Sequence, residues 1–478
     1  MPPEIHLTAS WVVAALEAVH GKLIAGDRER VFGGVSIDTR SIARDDLFIG
    51  IRGERWDGTD FANLAIDAGA AGVLLPAGRG SALVGASPAA IIEVDDPTRA
   101  LQMLARAVRR ESGTKVVAIT GSAGKTTTKE ITSEFLATTY RVVRNRGNLN
   151  NHIGLPLSLM ELRKRPDIAV VELGMNHTGE IKTLVGIAEP EVRVWTNVGD
   201  AHLAFFDSVD AIADAKAEIF EGAGASDVLV ASADDERIRA RLPRFPGRVV
   251  TFGFDRDADV RVAHVIDRGI DGVAARLTTS EGPMQLETRL IGRANLANVA
   301  AAAAVAIELG VPVAKLAERA ATLVPARHRG EVVRLGSGVT VIDDSYNANP
   351  SATRLALDVL ANTSATRRIA VLGEMLELGE RSAELHRAIG RAVSGGRVDL
   401  LIAVGGEPAA ELAEIAARTG MPRARVRYFT TSDEAAAVVS TLIEPGDVVL
   451  VKGSRGVGTD RIVERIVAQW APPAHRSE

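Results

Sequence analysis

Val116-Val117-Ala118-Ile119-Thr120-Gly121-Ser122-Ala123-Gly124-Lys125-Thr126-Thr127-Thr128-Lys129 decides how the rest of this 478-residue chain is read. The apolar, β-branched run predicts a buried strand, and the glycine-bounded turn after it opens onto a helical pattern. Such a strand, turn and helix start make a cradle for phosphate. Backbone N–H groups and the positive helix end attract the anion, a lysine reaches the terminal phosphates, and a hydroxyl ligates Mg²⁺. On this reading Gly121, Ser122, Ala123, Gly124, Lys125, Thr126 and Thr127 cradle phosphate, with Lys125 at the terminal phosphates and the Thr126 hydroxyl on Mg²⁺. The spacing is shortened, because Ile119 stands where a general P-loop has its first glycine. The competing reading is an ordinary strand-to-helix turn with a solvated lysine.

Hydrophobic residues make up 46% of the chain, charged residues 24%, and the net charge is −5, which places it among soluble globular proteins. That balance gives no footprint for nucleic acid. The absence of cysteine excludes disulfides, thiolate catalysis and cysteine-based zinc sites. No run of 18 apolar residues predicts a membrane-spanning helix, and residues 1–10 lack a secretory pattern, so the expected address is the cytoplasm.

Before the cradle, residues 11–20 carry helical spacing, 35–41 and 46–53 look extended, 61–69 helical and 72–75 extended, together a small α/β domain. Ser36, Thr39 and Arg40 offer hydroxyls and a guanidinium to a phosphate or diphosphate, and a solvated strand end explains them equally well. Residues 97–112 open on proline and continue as a helix into the cradle strand. Beyond the cradle helix, residues 145–156 are too rich in Asn and Gly to pack alone and predict a ligand-holding loop or a plain turn cluster.

Apolar strands at 168–172 and 192–198 alternate with helices, predicting a parallel sheet whose ligands sit at the carboxyl strand ends. Glu172, Asn197 and His202 fall at that edge, and Glu172 and His202 are candidate Mg²⁺ ligands. Helical residues 208–222 carry Lys216, which local pattern alone reads as solvated. Residues 226–291 read as short strands and turns. An alanine-rich helix starts near Gly292, with Asn295 and Asn298 on one face as either a cap or ligand contacts.

Strands at 339–343, 368–373, 400–406 and 447–453 each run into a helix, predicting a second open α/β sheet. The turn at 452–456 suits a carboxylate or a plain surface bend, and the Pro-rich tail 471–478 is expected to be disordered. The expected architecture is three α/β domains. They are a small N-terminal domain over 1–111, a central P-loop parallel sheet over 112–326, and a C-terminal Rossmann-like domain over 327–478.

Together with Asn148-Leu149-Asn150-Asn151, Glu172-Leu173-Gly174-Met175-Asn176-His177, Asp343 to Pro350 and Val451 to Gly456, the cradle resembles the Mur ligase family over nearly the whole chain. Residues 344–350 and 372–379 are most similar to its MurF-type branch, and the Asp-Asn-Pro-Arg signature of the MurE type is missing. The resemblance implies an ADP-forming amide ligase of peptidoglycan synthesis. Such an enzyme joins D-alanyl-D-alanine to a UDP-N-acetylmuramoyl-tripeptide through an acyl phosphate, with ATP and two Mg²⁺ ions. It implies a cytoplasmic monomer whose partners are these small molecules.

The resemblance also assigns roles. Asn295, Asn298, Arg329 and Asp344 hold ATP; Thr126, Glu172, His202 and Lys216 hold metal, Lys216 as a carbamate formed with CO₂. Lys125, Lys216 and His202 are the catalytic set, Ser36, Thr39 and Arg40 receive UDP, and Tyr346, Asn347, Lys452, Ser454 and Arg455 surround the dipeptide. Asn148, Asn150 and Asn151 are also expected to contact substrate. Two residues depart from the pattern: Ala294 where the family often has His, and His152 where Glu is common. The identity of the third peptide residue, diaminopimelate or lysine, stays open. The rival readings are a MurE-type or folylpolyglutamate ligase, or a P-loop kinase or nucleotide switch.

Overall fold

The computed structural model describes residues 3–85 and 88–471; the tail expected to be disordered lies outside them beyond Ala471. The chain forms two compact units. One comprises Met1–Ile119, Tyr140–Arg193 and Glu218–Asp227, and the other Thr120–Thr139, Val194–Ala217 and Val228–Glu478. The expected segment 112–326 therefore contributes to both, whereas 327–478 lies wholly in the second.

In the first unit a five-stranded sheet runs in the order Lys22–Ala25, Ala90–Val94, Gly72–Pro76, Leu47–Ile49, Val35–Ser36. Only the first pair is antiparallel. Phe48, Val73, Leu75 and Ile91 pack against Ala62 and Ala65 of the helix Ala62–Asp67 to form its core. The helix Pro97–Ser112 has its expected bounds. Asp96 caps it by accepting from the N–H groups of Thr98 and Arg99, and Gly113 in the left-handed region ends it. The next strand, Lys115–Thr120, pairs in parallel with Ile168–Glu172, which pairs in turn with Val142–Arg144. Glu172 lies opposite Ile119, at the carboxyl end.

Side-chain caps moved several boundaries. The helix expected over 11–20 is Ala9–Ala15 followed by a 3₁₀ turn, because Thr8 Oγ1 accepts the Trp11 N–H at 3.1 Å. The extension expected to Ser41 stops at Ser36, because Asp38 accepts the Arg40 N–H and folds Thr39–Ser41 into a turn. The helix expected over 208–222 is Val209–Ala217, then a 3₁₀ turn Glu218–Phe220.

In the second unit the stretch that sequence left as short strands is a well-ordered run. Val228–Ser232, Arg248–Gly253 and Val260–Asp267 pair in parallel, and Val273–Thr279 and Gly282–Thr288 extend them as an antiparallel meander. Helix Gly292–Glu308 packs on the cradle helix Lys125–Leu136, and its alanines 300–304 are buried on every side of it. A six-stranded sheet follows in the order Glu331–Arg334, Thr340–Asp344, Asp447–Lys452, Arg367–Gly373, Leu400–Val404, Val426–Phe429. It is parallel apart from its first strand, so its chemistry gathers at one edge, where Asp344 lies opposite Lys452.

Candidate active site

The strand ends at Thr120 and the helix begins at Lys125, so four residues make the bend. Gly121 has φ +153°, and a Cβ there would sit 1.9 Å from Thr196 Oγ1. Gly124 has φ +76°, and a Cβ there would sit 2.4 Å from Asn298 Oδ1. Both positions thus exclude a side chain by contact as well as by conformation. Asn197 braces the bend: its backbone oxygen accepts the Ser122 N–H, Oδ1 accepts the Ala123 N–H at 2.9 Å, and Nδ2 donates to Ala123 O at 3.0 Å. Sequence placed Asn197 at this edge without giving it that task. Ser122 Oγ accepts the Gly199 N–H at 2.9 Å, tying the cradle to the loop that carries His202.

Two lysines converge on one oxygen. Lys125 Nζ donates to Gly121 O at 2.8 Å and Lys216 Nζ to the same oxygen at 3.2 Å. Lys216 is 1% exposed, and its amine is held well below the usual lysine range, first by burial and then by the charge of Lys125. The local reading of Lys216 as solvated is therefore corrected. Ile212 is four residues earlier on the same buried stripe, a spacing that marks the position as inward-facing. Burial likewise lowers the His202 imidazole; the Glu377 carboxylate beside it opposes this, and the charges of Lys125 and Lys216 add to it.

Asn295 and Asn298 do not cap their helix, which starts after Ile291 with no side-chain cap. Asn295 Nδ2 donates to Ile291 O at 2.9 Å, Asn298 Nδ2 donates to Asn295 Oδ1 at 3.2 Å, and Thr128 Oγ1 donates to Asn298 Oδ1 at 3.2 Å. They form a polar seam beneath the cradle helix. In the first unit Glu172 is buried, its N–H given to Asn145 Oδ1 at 3.0 Å and its Oε1 accepting from Asn150 Nδ2 at 2.9 Å. Asn151 Oδ1 accepts the Ile153 and Gly154 N–H groups at 3.2 and 2.8 Å in the turn before the short helix Gly154–Leu159, and Asn148 is exposed.

Among the described residues no three His, Cys, Asp or Glu side chains gather closely enough to hold an ion unaided. Thr126, His202 and Lys216 still fit Mg²⁺ chemically. That ion keeps waters and substrate phosphates as ligands and needs few protein donors, and a carbamate on Lys216 would supply the hard oxygen it prefers.

A second polar group sits at the edge of the six-stranded sheet. Lys452, 3% exposed, donates to Asp344 Oδ2 at 2.6 Å and to Asn347 O at 3.0 Å. The ring of Tyr346 carries the Arg329 guanidinium 4.0 Å from its centroid and that of Arg455 at 5.3 Å. Ser454 Oγ accepts the Leu376 N–H at 2.9 Å, bracing the loop after Gly373. In the N-terminal part, Ser36 Oγ donates to Asp38 O at 3.0 Å, Thr39 begins the following turn, and the exposed Arg40 guanidinium pairs with Asp38 at 2.6 Å. That pairing draws the Asp38 carboxyl down to about 2.

Three family models match the chain: "Mur ligase family, catalytic domain" over 31–109, "Mur ligase middle domain" over 119–306 and "Mur ligase, glutamate ligase domain" over 328–455. A Bacillus subtilis UDP-N-acetylmuramoyl-tripeptide--D-alanyl-D-alanine ligase is 33% identical over 453 residues, 94% of this chain and 97% of that protein. The chain belongs to the Mur ligase family. MurF from Acinetobacter baumannii superposes with a TM-score of 0.86 at 28% identity, over 98% of this chain and all 100% of that one. MurF from Thermotoga maritima, solved in complex with ADP, gives 0.80 at 30% identity over 91% and 97% of the two chains. The α/β, three-domain Mur ligase architecture expected from sequence is thereby established. Among the described residues no helix of this Mur ligase is long and apolar enough to cross a membrane.

Proposed function

We propose that this chain is an ATP-dependent, ADP-forming amide ligase that joins D-alanyl-D-alanine to a UDP-N-acetylmuramoyl-tripeptide in peptidoglycan precursor synthesis. It works as a cytoplasmic monomer on small-molecule substrates. The observation that carries the chemistry is the convergence of Lys125 and Lys216 on Gly121 O at the phosphate cradle. The acceptor and donor follow from relatives of that name aligned over nearly the whole chain.

The γ-phosphoryl group passes from ATP to the terminal carboxylate of the tripeptide: a P–O bond to the carboxylate forms, the bond to ADP breaks, and an acyl phosphate results. The amine of the dipeptide then attacks the acyl carbon. The tetrahedral adduct expels phosphate, the amine loses its proton, and an amide remains. Backbone N–H groups of the bend and the positive end of helix Lys125–Leu136 hold the phosphates, and Lys125 stabilises charge at the group in transit. Burial and the charge of Lys125 lower the Lys216 amine, which favours its neutral form, the one that adds CO₂ at nitrogen, releases a proton and becomes an anionic carbamate. Thr126, His202 and that carbamate would hold Mg²⁺, with Glu172 a further expected metal ligand; the two ions would neutralise the repulsion between carboxylate and triphosphate. Arg329 and Asp344 lie on the nucleotide side, with Tyr346, Asn347, Lys452 and Arg455 around the dipeptide. Because Lys452 neutralises Asp344, its part is to set that carboxylate rather than to carry a free charge.

Purified protein is mixed with ATP, Mg²⁺, D-alanyl-D-alanine and the diaminopimelate or lysine UDP-tripeptide, and the products are weighed by mass spectrometry. One ADP, one phosphate and one new amide per turnover are expected. A stable phosphorylated product, as a kinase would leave, or ADP release without an amide, overturns the proposal.

A further inference from the structure

Two non-glycine residues with left-handed backbones meet in the second unit: His202 at φ 65° and Glu377 at φ 62°. Their side chains pair at 2.8 Å between Nδ1 and Oε2, across 175 residues of sequence. The main chains meet as well, the Ala204 N–H donating to Glu377 O at 2.9 Å. Conformations of this kind persist where surrounding structure enforces them, and they gather at functional sites. The loop that delivers Glu377 is braced residue by residue. The Glu374 N–H donates to Val404 O, the Met375 N–H to His386 Nε2 at 3.0 Å and the Leu376 N–H to Ser454 Oγ at 2.9 Å.

The Glu377 side chain is 47% exposed, so the pair contributes little to stability by itself. What it does set is direction. A carboxylate only accepts, so His202 Nδ1 must carry the proton, and Nε2 is left with the lone pair. From this geometry we propose that Glu377 is a positioning residue, fixing the tautomer and ring orientation of His202 so that Nε2 is the atom presented to a divalent cation at the nucleotide site. This rests on the reading of His202 as a metal ligand given above. The carboxylate arrives from the C-terminal segment, so the metal ligand is fully oriented only when that segment's loop is seated against residues 202–204.

Mn²⁺ serves as the probe, its binding titrated by electron paramagnetic resonance with saturating ADP, on wild type, Glu377→Ala, Glu377→Gln, His202→Ala and the double variant. Histidine-selective ¹⁵N spectra report the tautomer without metal, and circular dichroism checks the fold. Loss of an outer partner of a metal-binding histidine typically weakens metal about 10–100-fold. That loss is expected for Glu377→Ala, together with loss of the Nδ1–H signature of His202. Glu377→Gln, which keeps an acceptor, should fall between wild type and Glu377→Ala, and the double variant should bind no more weakly than His202→Ala. If His202→Ala leaves Mn²⁺ affinity unchanged, the metal-ligand reading itself fails. If His202→Ala weakens Mn²⁺ while Glu377→Ala does not, or leaves the tautomer unchanged, the positioning role is overturned and the ligand reading stands.

Discussion

Lys216 shows how much depends on surroundings rather than residue type. An ammonium buried beside Lys125 is costly, so burial and that neighbouring charge lower the Lys216 amine well below the usual lysine range and favour its neutral form. Lys125 keeps a different role, and Lys125→Ala is expected to abolish ligation with an unchanged circular dichroism spectrum; persistent ADP release at the wild-type rate would count against the mechanism. Gly121 is constrained from both sides. Its Cβ space is occupied by Thr196 Oγ1, which donates to Ala123 O at 2.9 Å, so Gly121→Ala must displace a bonded hydroxyl and distort the cradle. Nucleotide affinity measured by calorimetry should fall at least about tenfold, which corresponds to a change of about 1.4 kcal/mol.

At the scale of elements, the seam between the cradle helix and helix Gly292–Glu308 is held by Asn298, wedged against Gly124. Asn298→Ala leaves the fully buried Thr128 hydroxyl without its acceptor, and urea unfolding should show a loss of about 1–3 kcal/mol. Asn295 and Asn298 were legible as a pair because they lie three apart on one face. Their use as a seam was not, because it depends on a helix about 170 residues earlier. The loop after Gly373 depends on His386 in the same way. This fully buried ring donates from Nδ1 to Ser382 O at 2.8 Å and accepts the Met375 N–H at Nε2, so it must be neutral, and burial keeps its pKa below the usual histidine value. The unfolded chain binds its proton more readily, so the contribution of His386 is whole above pH about 6.5 and is lost as pH falls from there toward the lowered folded value. The stability difference between wild type and His386→Gln, followed by melting temperature, should therefore shrink between pH 7.5 and 5.5; a constant difference would deny the ring its neutral brace.

For the whole molecule, nucleotide binding should appear as stability: ADP at a hundred times its Kd adds about 2.7 kcal/mol to the state that binds it, raising the melting temperature. Lys125→Ala should lose most of that rise while melting normally without ligand. The sequence by itself determined the alternation of strand and helix, the cradle with its two glycines, the capped helix Pro97–Ser112, and the family to which these belong. Such features are set by side chains within a few residues of one another, where periodicity and turn chemistry act. Only the tertiary structure decided that Asn197 braces the bend, that Lys216 is buried, that Lys452 neutralises Asp344 and that Glu377 faces His202. These depend on desolvation and on hydrogen bonds between residues 74, 95, 108 and 175 positions apart, and no local pattern encodes which distant polar group will satisfy a buried one.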